Sequence, residues 1–252
     1  MYQVRVLSPG ELRKLASEKP QSLLEILQSK EVIIAKNYFP KQDIMAIRAR
    51  TYQWGLDVDP SWHPLLENCP DYHRVVDDPP MAFLKSRMHL FLHHGWHEEN
   101  NKLFDYFSDV FWMKSQVGGF PRNAYLRQTP SQGLISRVQV HHYPKGGGYI
   151  KEHYDHVAPF ALFQAMIPAF TKGQDFSAGG LYVRDENNEI LFLDDQLNAG
   201  DLVLMSTNNM HGVAPVDPED DYDWKLSSGR WSIVPLIVES DYNKDRKKPV
   251  EL

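Results

Sequence analysis

The sequence predicts a mainly β protein, an antiparallel sandwich or barrel with flanking helices. After Gly133, short segments rich in β-branched and aromatic residues alternate with turn residues, whereas amphipathic helical segments dominate the first half. The chain has 252 residues, of which 42% are hydrophobic, and this is enough for one large core. We therefore expect a single domain over 1–252, with a helix-rich flanking region at 1–130 and a β core at 131–240.

The first half is predicted to place helices around one strand. Residues 11–29 have the pattern of two short helices separated by Pro20, and residues 32–39 have the β-branched composition of a strand that leads into a helix. Repeated Pro, Asp and Asn between 57 and 80 indicate a long irregular segment. Residues 82–115 are amphipathic in parts, and we expect them to be helical.

The second half is predicted to consist of short strands separated by turns. Their composition is typical of antiparallel β structure, and we expect only the tail at 241–252 to be loose. The predicted strands are 136–143, 149–154, 160–167, 179–185, 189–194, 201–206 and 230–238.

Composition excludes several classes of protein. The single cysteine, Cys69, cannot form an intrachain disulfide and offers no thiolate cluster for zinc. A net charge of −6 disfavours extended nucleic-acid binding. The first residues have no apolar core of the length expected for a signal peptide, and no later apolar run approaches the length expected for a membrane span. We expect a soluble, cytoplasmic protein that acts on a small molecule, with neither nucleic acid nor membrane as partner; the oligomeric state is left open.

A candidate metal site lies in the stretch GGGYIKEHYDHVAPF, residues 146–160. His153 and Asp155 are two residues apart near a strand end, so their side chains point the same way. His211 follows a buried apolar strand and a polar turn, and an antiparallel sheet could return it beside this pair. Two imidazoles and one carboxylate leave metal positions open, an arrangement that suits iron(II) oxygen chemistry.

A candidate anion site lies on the last core strand. Arg230 begins this strand in an apolar setting, and a buried guanidinium requires an anion. Its planar fork matches a carboxylate through two parallel hydrogen bonds. Tyr143, at the end of the strand before the glycines, can add a hydroxyl group to the same carboxylate.

The order of these residues and motifs resembles that of the iron(II)- and 2-oxoglutarate-dependent oxygenases, nearest to their prolyl-hydroxylase-like branch. The resemblance covers residues 136–238 and rests on Tyr143, the Gly-rich turn, HYD, GGLYV, AGDLVLM, HGVAPV and GRWSIVPLI in this order. It implies a double-stranded β-helix, a cupin-like jelly-roll barrel, over 131–240, with helices of the first half packed outside it.

The resemblance also implies the site residues and cofactors. His153, Asp155 and His211 would hold the catalytic Fe(II). Arg230 and Tyr143 would bind the distal carboxylate of 2-oxoglutarate, the cosubstrate that is consumed together with O2. In this branch the basic residue is usually a lysine closer to the second histidine, whereas here it is an arginine.

The activity that the resemblance implies is that of a 2-oxoglutarate/Fe(II)-dependent dioxygenase. Hydroxylation of an unactivated C–H bond in a small-molecule or amino-acid-like substrate is the expected reaction. Desaturation, epimerisation or cyclisation with the same cofactors and peptidyl hydroxylation are alternatives. A non-oxidative, cupin-type metal-binding module is the alternative from another class.

Several residues are predicted to contact the substrate. Arg137, Gln139 and His141 share one face of a predicted strand and are expected to line the pocket, whereas His142 points the other way. The acidic insertion, residues 217–228 between His211 and Arg230, is expected to form a mobile lid that is exposed when the site is empty and packs an aromatic side chain over a bound substrate; a solvated surface loop is the alternative. The aromatic residues of this insertion are Tyr222 and Trp224.

Other polar residues are predicted to have no catalytic role. His89, His93 and His97 recur at helical spacing, but Gly95 interrupts the segment, so a solvated or capping role is expected. Asp194 is expected to be a solvated loop charge.

Overall fold

The computed structural model describes residues 2–78, 84–245 and 250–251. Within them, thirteen strands form one sheet, which five α-helices flank. The strands are β1 Gln3–Leu7, β2 Glu31–Ala35, β3 Tyr72–Asp77, β4 Ser86–His94, β5 Leu134–Pro144, β6 Gly148–Tyr154, β7 Phe163–Pro168, β8 Gly180–Arg184, β9 Ile190–Phe192, β10 Leu202–Ser206, β11 Met210–Val216, β12 Gly229–Glu239 and β13 Val250–Glu251. The helices are α1 Pro9–Glu18, α2 Pro20–Gln28, α3 Lys41–Asp57, α4 Asn101–Tyr106 and α5 Ser108–Val117, with 3₁₀ turns at Glu98–Asn100, Pro130–Gln132 and Asp194–Gln196.

The sheet curls into a half-barrel. Its strand order is β1-β2-β10-β7-β12-β5-β4-β6-β11-β8-β9, with β3 added to β4 and β13 added to β6. β1 and β2 are parallel, and the other pairings between these strands are antiparallel. The long β5–β12 pair runs in unbroken register from Leu134↔Glu239 to Pro144↔Gly229 and forms the centre of the sheet. The predicted mainly β fold with flanking helices is confirmed.

The outer face of the sheet packs against the helices. Val140 of β5 and Ile233 of β12 are fully buried there, together with Leu23 of α2 and Phe111 of α5. Each such side chain contributes roughly 1.5–3 kcal/mol through removal from water. The helices therefore cover the outer face of the sheet, and the inner face can line a cavity.

The two-residue repeat of the strands sorts side chains between these faces. On β5, Val138 and Val140 point to the helices, while Gln139 and His141 point into the half-barrel. A second apolar cluster, which includes Leu90 of β4, lines the half-barrel interior. Polar groups on β5 are thus carried into an otherwise apolar interior.

The helix predicted at 82–115 is wrong in its first part. Residues Ser86–His94 form β4, which pairs with β3, β5 and β6, and helical structure begins only after it. This strand is buried on both faces, with Leu90 inside and Phe91 outside, so its hydrophobic run lacks the alternation that marks a strand. The first two residues of that prediction, 82 and 83, lie outside the described residues.

Two further expectations need correction. The segment predicted to be irregular contains β3, which pairs with β4 along its whole length. In the tail, Val250–Glu251 pairs with β6, so this part is not loose. Strands β1 to β4, which all precede residue 131, belong to the same sheet as the later strands. No helix in the described part of the chain is long and apolar enough to cross a membrane.

Candidate active site

A cavity of about 1220 Å³ lies inside the half-barrel. Apolar side chains such as Leu90 and Val234 form much of its wall. Polar side chains line it from several strands, among them β5, β6, β7, β11 and β12, and Lys114 lines it from α5. An apolar cavity with a few convergent polar groups is the usual form of a small-molecule site.

Two histidines and one aspartate meet in this cavity. β6 and β11 pair so that His153 and His211 are direct partners, and their imidazole centroids are 4.4 Å apart. Asp155 follows β6 directly; its Oδ1 is 3.7 Å from His153 Nε2, and its Oδ2 is 3.5 Å from His211 Nε2. One ligand atom from each residue lies within 4.8 Å of the other two, so the three side chains can share one metal ion.

Backbone carbonyls determine how both imidazoles face the centre. His153 Nδ1 is 2.9 Å from the Lys151 carbonyl oxygen, and His211 Nδ1 is 2.9 Å from that of Asn209. A carbonyl oxygen can only accept, so each Nδ1 carries the hydrogen and each Nε2 can donate its lone pair to a metal. Two neutral nitrogen donors and one carboxylate form a set that fits iron(II) with open positions.

Asp155 is oriented by a side chain that sequence reasoning missed. Gln164 Nε2, on β7, donates to Asp155 Oδ2 over 2.8 Å. A carboxylate only accepts, so the Gln164 NH2 group must face it and Oε1 must point elsewhere. Such a hydrogen bond to a ligand carboxylate fixes its orientation before a metal arrives.

Arg230 is buried in the same cavity, but it already has a carboxylate partner. Its Nε and Nη2 donate to the two oxygens of Asp194 over 2.6 and 3.0 Å, and both side chains are almost fully buried. The expectation that Asp194 is solvated is therefore wrong. The 3₁₀ turn folds its carboxylate beneath β8, where it also accepts from the Leu181 N–H group.

The outer edge of the guanidinium remains directed at the cavity. Arg230 Nη1 is 3.4 Å from Ser232 Oγ, and Nη2 is 3.4 Å from Met166 Sδ; both neighbours line the cavity. Ser232 is a second residue that sequence reasoning missed. The sequence did indicate its position, because Ser232 lies two residues after Arg230 on the same strand and both side chains therefore point to the same face.

Tyr143 lies beside Arg230 in the β5–β12 register. The guanidinium carbon is 5.6 Å from the centre of the Tyr143 ring, and the phenol oxygen is 3.4 Å from His141 Nδ1. Burial raises the pKa of Tyr143 well above its usual value, so the side chain stays a neutral phenol and can donate. Burial, with Arg230 and Arg137 nearby, lowers the pKa of His141 to about 3, so this imidazole is neutral.

The three predicted pocket residues of β5 all line the cavity. Gln139 lies between its two neighbours: with its amide oxygen towards Arg137, it accepts from Arg137 Nε over 3.0 Å and donates to His141 Nε2 over 2.8 Å. His142 faces the opposite side, where it stacks on Trp231 at 4.1 Å. The alternation predicted from the sequence is the one observed.

Tyr222 and Trp224 lie away from the cavity lining. Tyr222 packs under the Arg87 guanidinium at 4.8 Å, and Trp224 packs 5.0 Å from the His89 ring on the outer face of the sheet. The acidic insertion is held there because Arg48 of α3 donates to the Ser227 carbonyl. Neither side chain lines the cavity in this structure, and their packing over a bound substrate stays a prediction.

The histidines at 89, 93 and 97 do not form a common site. His89 Nε2 is 2.8 Å from His73 Nδ1 behind the sheet, whereas His93 Nδ1 is 3.0 Å from an Asp71 oxygen. His97 Nε2 is 3.0 Å from the Cys69 carbonyl oxygen. Their spacing of four residues does not bring these histidines together, because His89 and His93 lie on a strand and not on a helix.

Asp71, His94 and His97 also form a group whose spacing suits a metal. The Asp71 carboxylate already accepts from the His94 backbone N–H over 2.9 Å and from Asn100 Nδ2 over 2.7 Å. These bonds connect β4 to the loop before β3. We interpret this group as a structural hydrogen-bond network.

Comparison with known proteins bears on the fold. No protein-family model and no curated protein matches the chain. A prolyl-4-hydroxylase from Pseudomonas putida is 12% identical, with a TM-score of 0.53 over 86% of this chain and 97% of that chain. A Trichoplax adhaerens prolyl hydroxylase in complex with a hypoxia inducible factor peptide fragment is 17% identical, with a TM-score of 0.55 over 93% and 94%.

A third solved structure is similar over most of the chain. A full-length Neurospora crassa protein, solved in complex with alpha-KG, is 14% identical, with a TM-score of 0.56 over 94% of this chain and 85% of that chain. These proteins are 2-oxoglutarate oxygenases and have the double-stranded β-helix fold. The chain therefore has the double-stranded β-helix fold of the prolyl-hydroxylase-like 2-oxoglutarate oxygenases.

Proposed function

We propose that the protein is an iron(II)- and 2-oxoglutarate-dependent dioxygenase that hydroxylates an unactivated C–H bond of a small-molecule or amino-acid-like substrate. The observation that carries this proposal is the convergence of His153, Asp155 and His211, with both Nε2 lone pairs directed inward, in one cavity with Arg230. The fold supports it, because solved oxygenases share the same architecture.

His153, Asp155 and His211 would hold the iron. When bound, Fe(II) with 2-oxoglutarate and O2 supplies the oxidising power for C–H hydroxylation, and 2-oxoglutarate leaves as succinate and carbon dioxide. Because only three side chains of the chain would hold the ion, they would leave coordination positions open for cosubstrate and oxygen. Gln164 and the two backbone carbonyls hold the ligands in place, so little reorganisation accompanies metal binding.

Arg230 would bind the distal carboxylate of 2-oxoglutarate with the edge of its guanidinium that Asp194 does not use. A guanidinium carries five N–H donors, and Asp194 engages only Nε and one hydrogen of Nη2. The Ser232 hydroxyl and the Tyr143 phenol lie next to the remaining donors. Together they offer a dry, donor-rich end to the cavity, in which a carboxylate is held strongly.

Peptidyl hydroxylation is the second candidate. The side chain of Trp62, at the cavity wall, is 65% exposed, and such an aromatic suits contact with a peptide outside the cavity. The similar Trichoplax prolyl hydroxylase was solved with a peptide, whereas the similar Neurospora protein was also solved with thymine. We favour a small molecule, because the described cavity is large and polar groups converge deep within it.

The experiment that tests the proposal combines binding and turnover. We expect 2-oxoglutarate to bind in the absence of oxygen only when Fe(II) is present, as measured by calorimetry, and to be converted to succinate in air. His211→Ala should abolish both, because one of three ligands is lost. His156→Ala, a cavity residue outside the metal group, is the matched control. Normal succinate formation by His211→Ala would contradict the proposal.

The same experiment separates the oxygenase from a non-oxidative metal-binding module. Arg230 alone cannot separate them, since Asp194 already neutralises its charge. A non-oxidative module would bind the metal but neither bind 2-oxoglutarate nor form succinate.

A further inference from the structure

A buried lysine faces the candidate metal centre from outside the β core. Lys114 of α5 is only 4% exposed and lines the cavity with Asp155 and Gln164. Its Nζ donates to the Phe163 carbonyl oxygen over 2.7 Å and lies 4.7 Å from the Phe163 ring centre. No described carboxylate lies within ion-pair distance of this ammonium, although it has further hydrogens to donate.

A buried, unpaired ammonium is costly to keep. The cost of desolvation is several kcal/mol unless an anion or a full set of acceptors compensates for it. Burial accordingly lowers the pKa of Lys114 to about 7, against the opposing influence of Asp155. Once a metal ion neutralises Asp155, the lysine has no other nearby anion to balance it among the residues that the structure describes.

An unsatisfied acceptor accompanies this donor. Gln164 follows Phe163 on β7, and its Oε1 is buried without a hydrogen-bond partner. The hydrogen bond from Nε2 to Asp155 determines which way the amide faces, so Oε1 is a true acceptor at this point. Lys114, with spare hydrogens to donate, and Gln164, with a buried acceptor that has no partner, thus line the same cavity beside the metal ligands.

This location is distinct from the Arg230 end of the cavity. Along β7, Gln164 and Met166 share one face; Met166 contacts Arg230, whereas Gln164 contacts Asp155. Two residues along a strand correspond to roughly 6–7 Å. Lys114 is therefore not placed to bind the same carboxylate as Arg230.

We propose that Lys114 and Gln164 form the substrate-recognition site, and that this site binds an α-amino acid through its carboxylate and its adjacent amino group. The carboxylate accepts from Lys114 Nζ, and the amino group donates to Gln164 Oε1. This inference rests on the proposed function, because it assumes that the substrate lies next to the metal ligands. It narrows the substrate class to free amino acids and excludes internal peptide residues, which lack a carboxylate at this position.

The test measures amino-acid binding to the Fe(II)- and 2-oxoglutarate-loaded protein without oxygen. The probes are the proteinogenic L-amino acids and their C-terminal amides, added at millimolar concentration and followed by calorimetry. We expect at least one free amino acid to bind and its amide to bind at least about tenfold more weakly, since the amide lacks the charge.

The variant Lys114→Met has similar volume and no charge, and it should remove this preference for acid over amide. A purely structural lysine would leave the preference unchanged. Lys102→Met, on the exposed surface of α4, is the matched control and should behave as the wild type.

Three results would overturn the inference. They are the absence of amino-acid binding across the whole panel, an unchanged acid-over-amide preference in Lys114→Met, and a larger loss of 2-oxoglutarate affinity than of amino-acid affinity in that variant. The last result would assign the lysine to the cosubstrate instead. Failure of the wild type to bind 2-oxoglutarate with Fe(II) would instead reject the proposed function, and this is measured separately in the same samples.

Discussion

The two edges of the Arg230 guanidinium have different surroundings. One side forms a buried, bidentate ion pair with Asp194, and the other faces the cavity beside Ser232. Gly180 makes the close approach of Asp194 possible: its φ is +111°, and a Cβ there would lie 2.3 Å from Asp194 Oδ2. We infer that Asp194 is a positioning residue, which orients the arginine without contacting the cosubstrate.

The first prediction concerns this positioning. Asp194→Asn keeps an acceptor for the Leu181 N–H but loses the charged, bidentate partner of Arg230, so the arginine is less well oriented. We expect affinity for 2-oxoglutarate to fall at least about tenfold, as measured by calorimetry with Fe(II) and without oxygen. Asp195→Asn, whose side chain is exposed, is the control. Equal affinities in the two variants would show that Asp194 has no orienting role.

At the scale of elements, α3 anchors the segments that precede β8 and β12. Arg48, 7% exposed, donates to the Ala169 carbonyl over 3.0 Å, to Asp175 over 2.7 Å and to the Ser227 carbonyl over 2.6 Å. One side chain thus connects three separate segments. This anchoring explains why the acidic insertion lies on the outer face and does not cover the cavity.

The second prediction tests this anchor. Arg48→Met removes the charged partner of Asp175 and one donor each of the Ala169 and Ser227 carbonyls, and loss of one partner of a buried ion pair costs on the order of 3 kcal/mol. We expect the free energy of unfolding, measured by denaturant titration, to fall by about this amount. Arg50→Met, on the exposed face of the same helix, should change it little. A similar value for both variants would argue against the anchor.

The third prediction concerns the connection between β4 and the loop before β3, which depends on pH. Desolvation raises the pKa of Asp71, but hydrogen bonds from His93, His94 and Asn100 outweigh it and hold the pKa below its ordinary value of 3.8. A lowered pKa in the folded state gives stability that is present above pH 3.8 and is lost as the pH falls further.

Asp71→Asn should therefore destabilise the protein by about 1–3 kcal/mol at neutral pH. Denaturant titrations of variant and wild type should converge as the pH falls below 3.8, because the wild type then loses the same charge. A difference in unfolding free energy that is independent of pH would mean that the charge of Asp71 contributes nothing.

At the scale of the whole molecule, the half-barrel brings strands from distant parts of the chain around one centre. The candidate metal ligands come from β6, the residue that follows it and β11, and the anion site comes from β5 and β12. A ligand that bridges these elements would stabilise the complete fold. Binding to the native state alone adds RT ln(1 + [L]/Kd) to its stability.

The fourth prediction follows from this linkage. With the metal ion alone at a hundred times its Kd, stability rises by about 2.7 kcal/mol, which corresponds to roughly 5–10 °C in Tm for a chain of this size. Thermal unfolding without oxygen should show this increase, and a chelator should reverse it. Asp155→Ala should show none; an equal increase in that variant would place the metal elsewhere.

Local sequence patterns were sufficient to predict many features of this structure. The two-residue repeat of a strand predicted that Arg137, Gln139 and His141 share one face and that His142 takes the other. The spacing of His153 and Asp155 predicted a shared direction. These two features depend on neighbours within a few residues, and the sequence by itself contains them. The double-stranded β-helix was implied by the family resemblance that the order of motifs over 136–238 carries.

Tertiary structure decided the rest, because contacts between distant residues leave no periodic signal. Burial of Ser86–His94 on both faces made a strand resemble a helix, and the fold alone pairs Asp194 with Arg230. Lys114 shows the same limit: its helix could be predicted, but only the packing of α5 against β7 brings its ammonium group into the cavity. The sequence patterns therefore indicated which residues form much of the candidate site. Tertiary packing determined which other residues they contact.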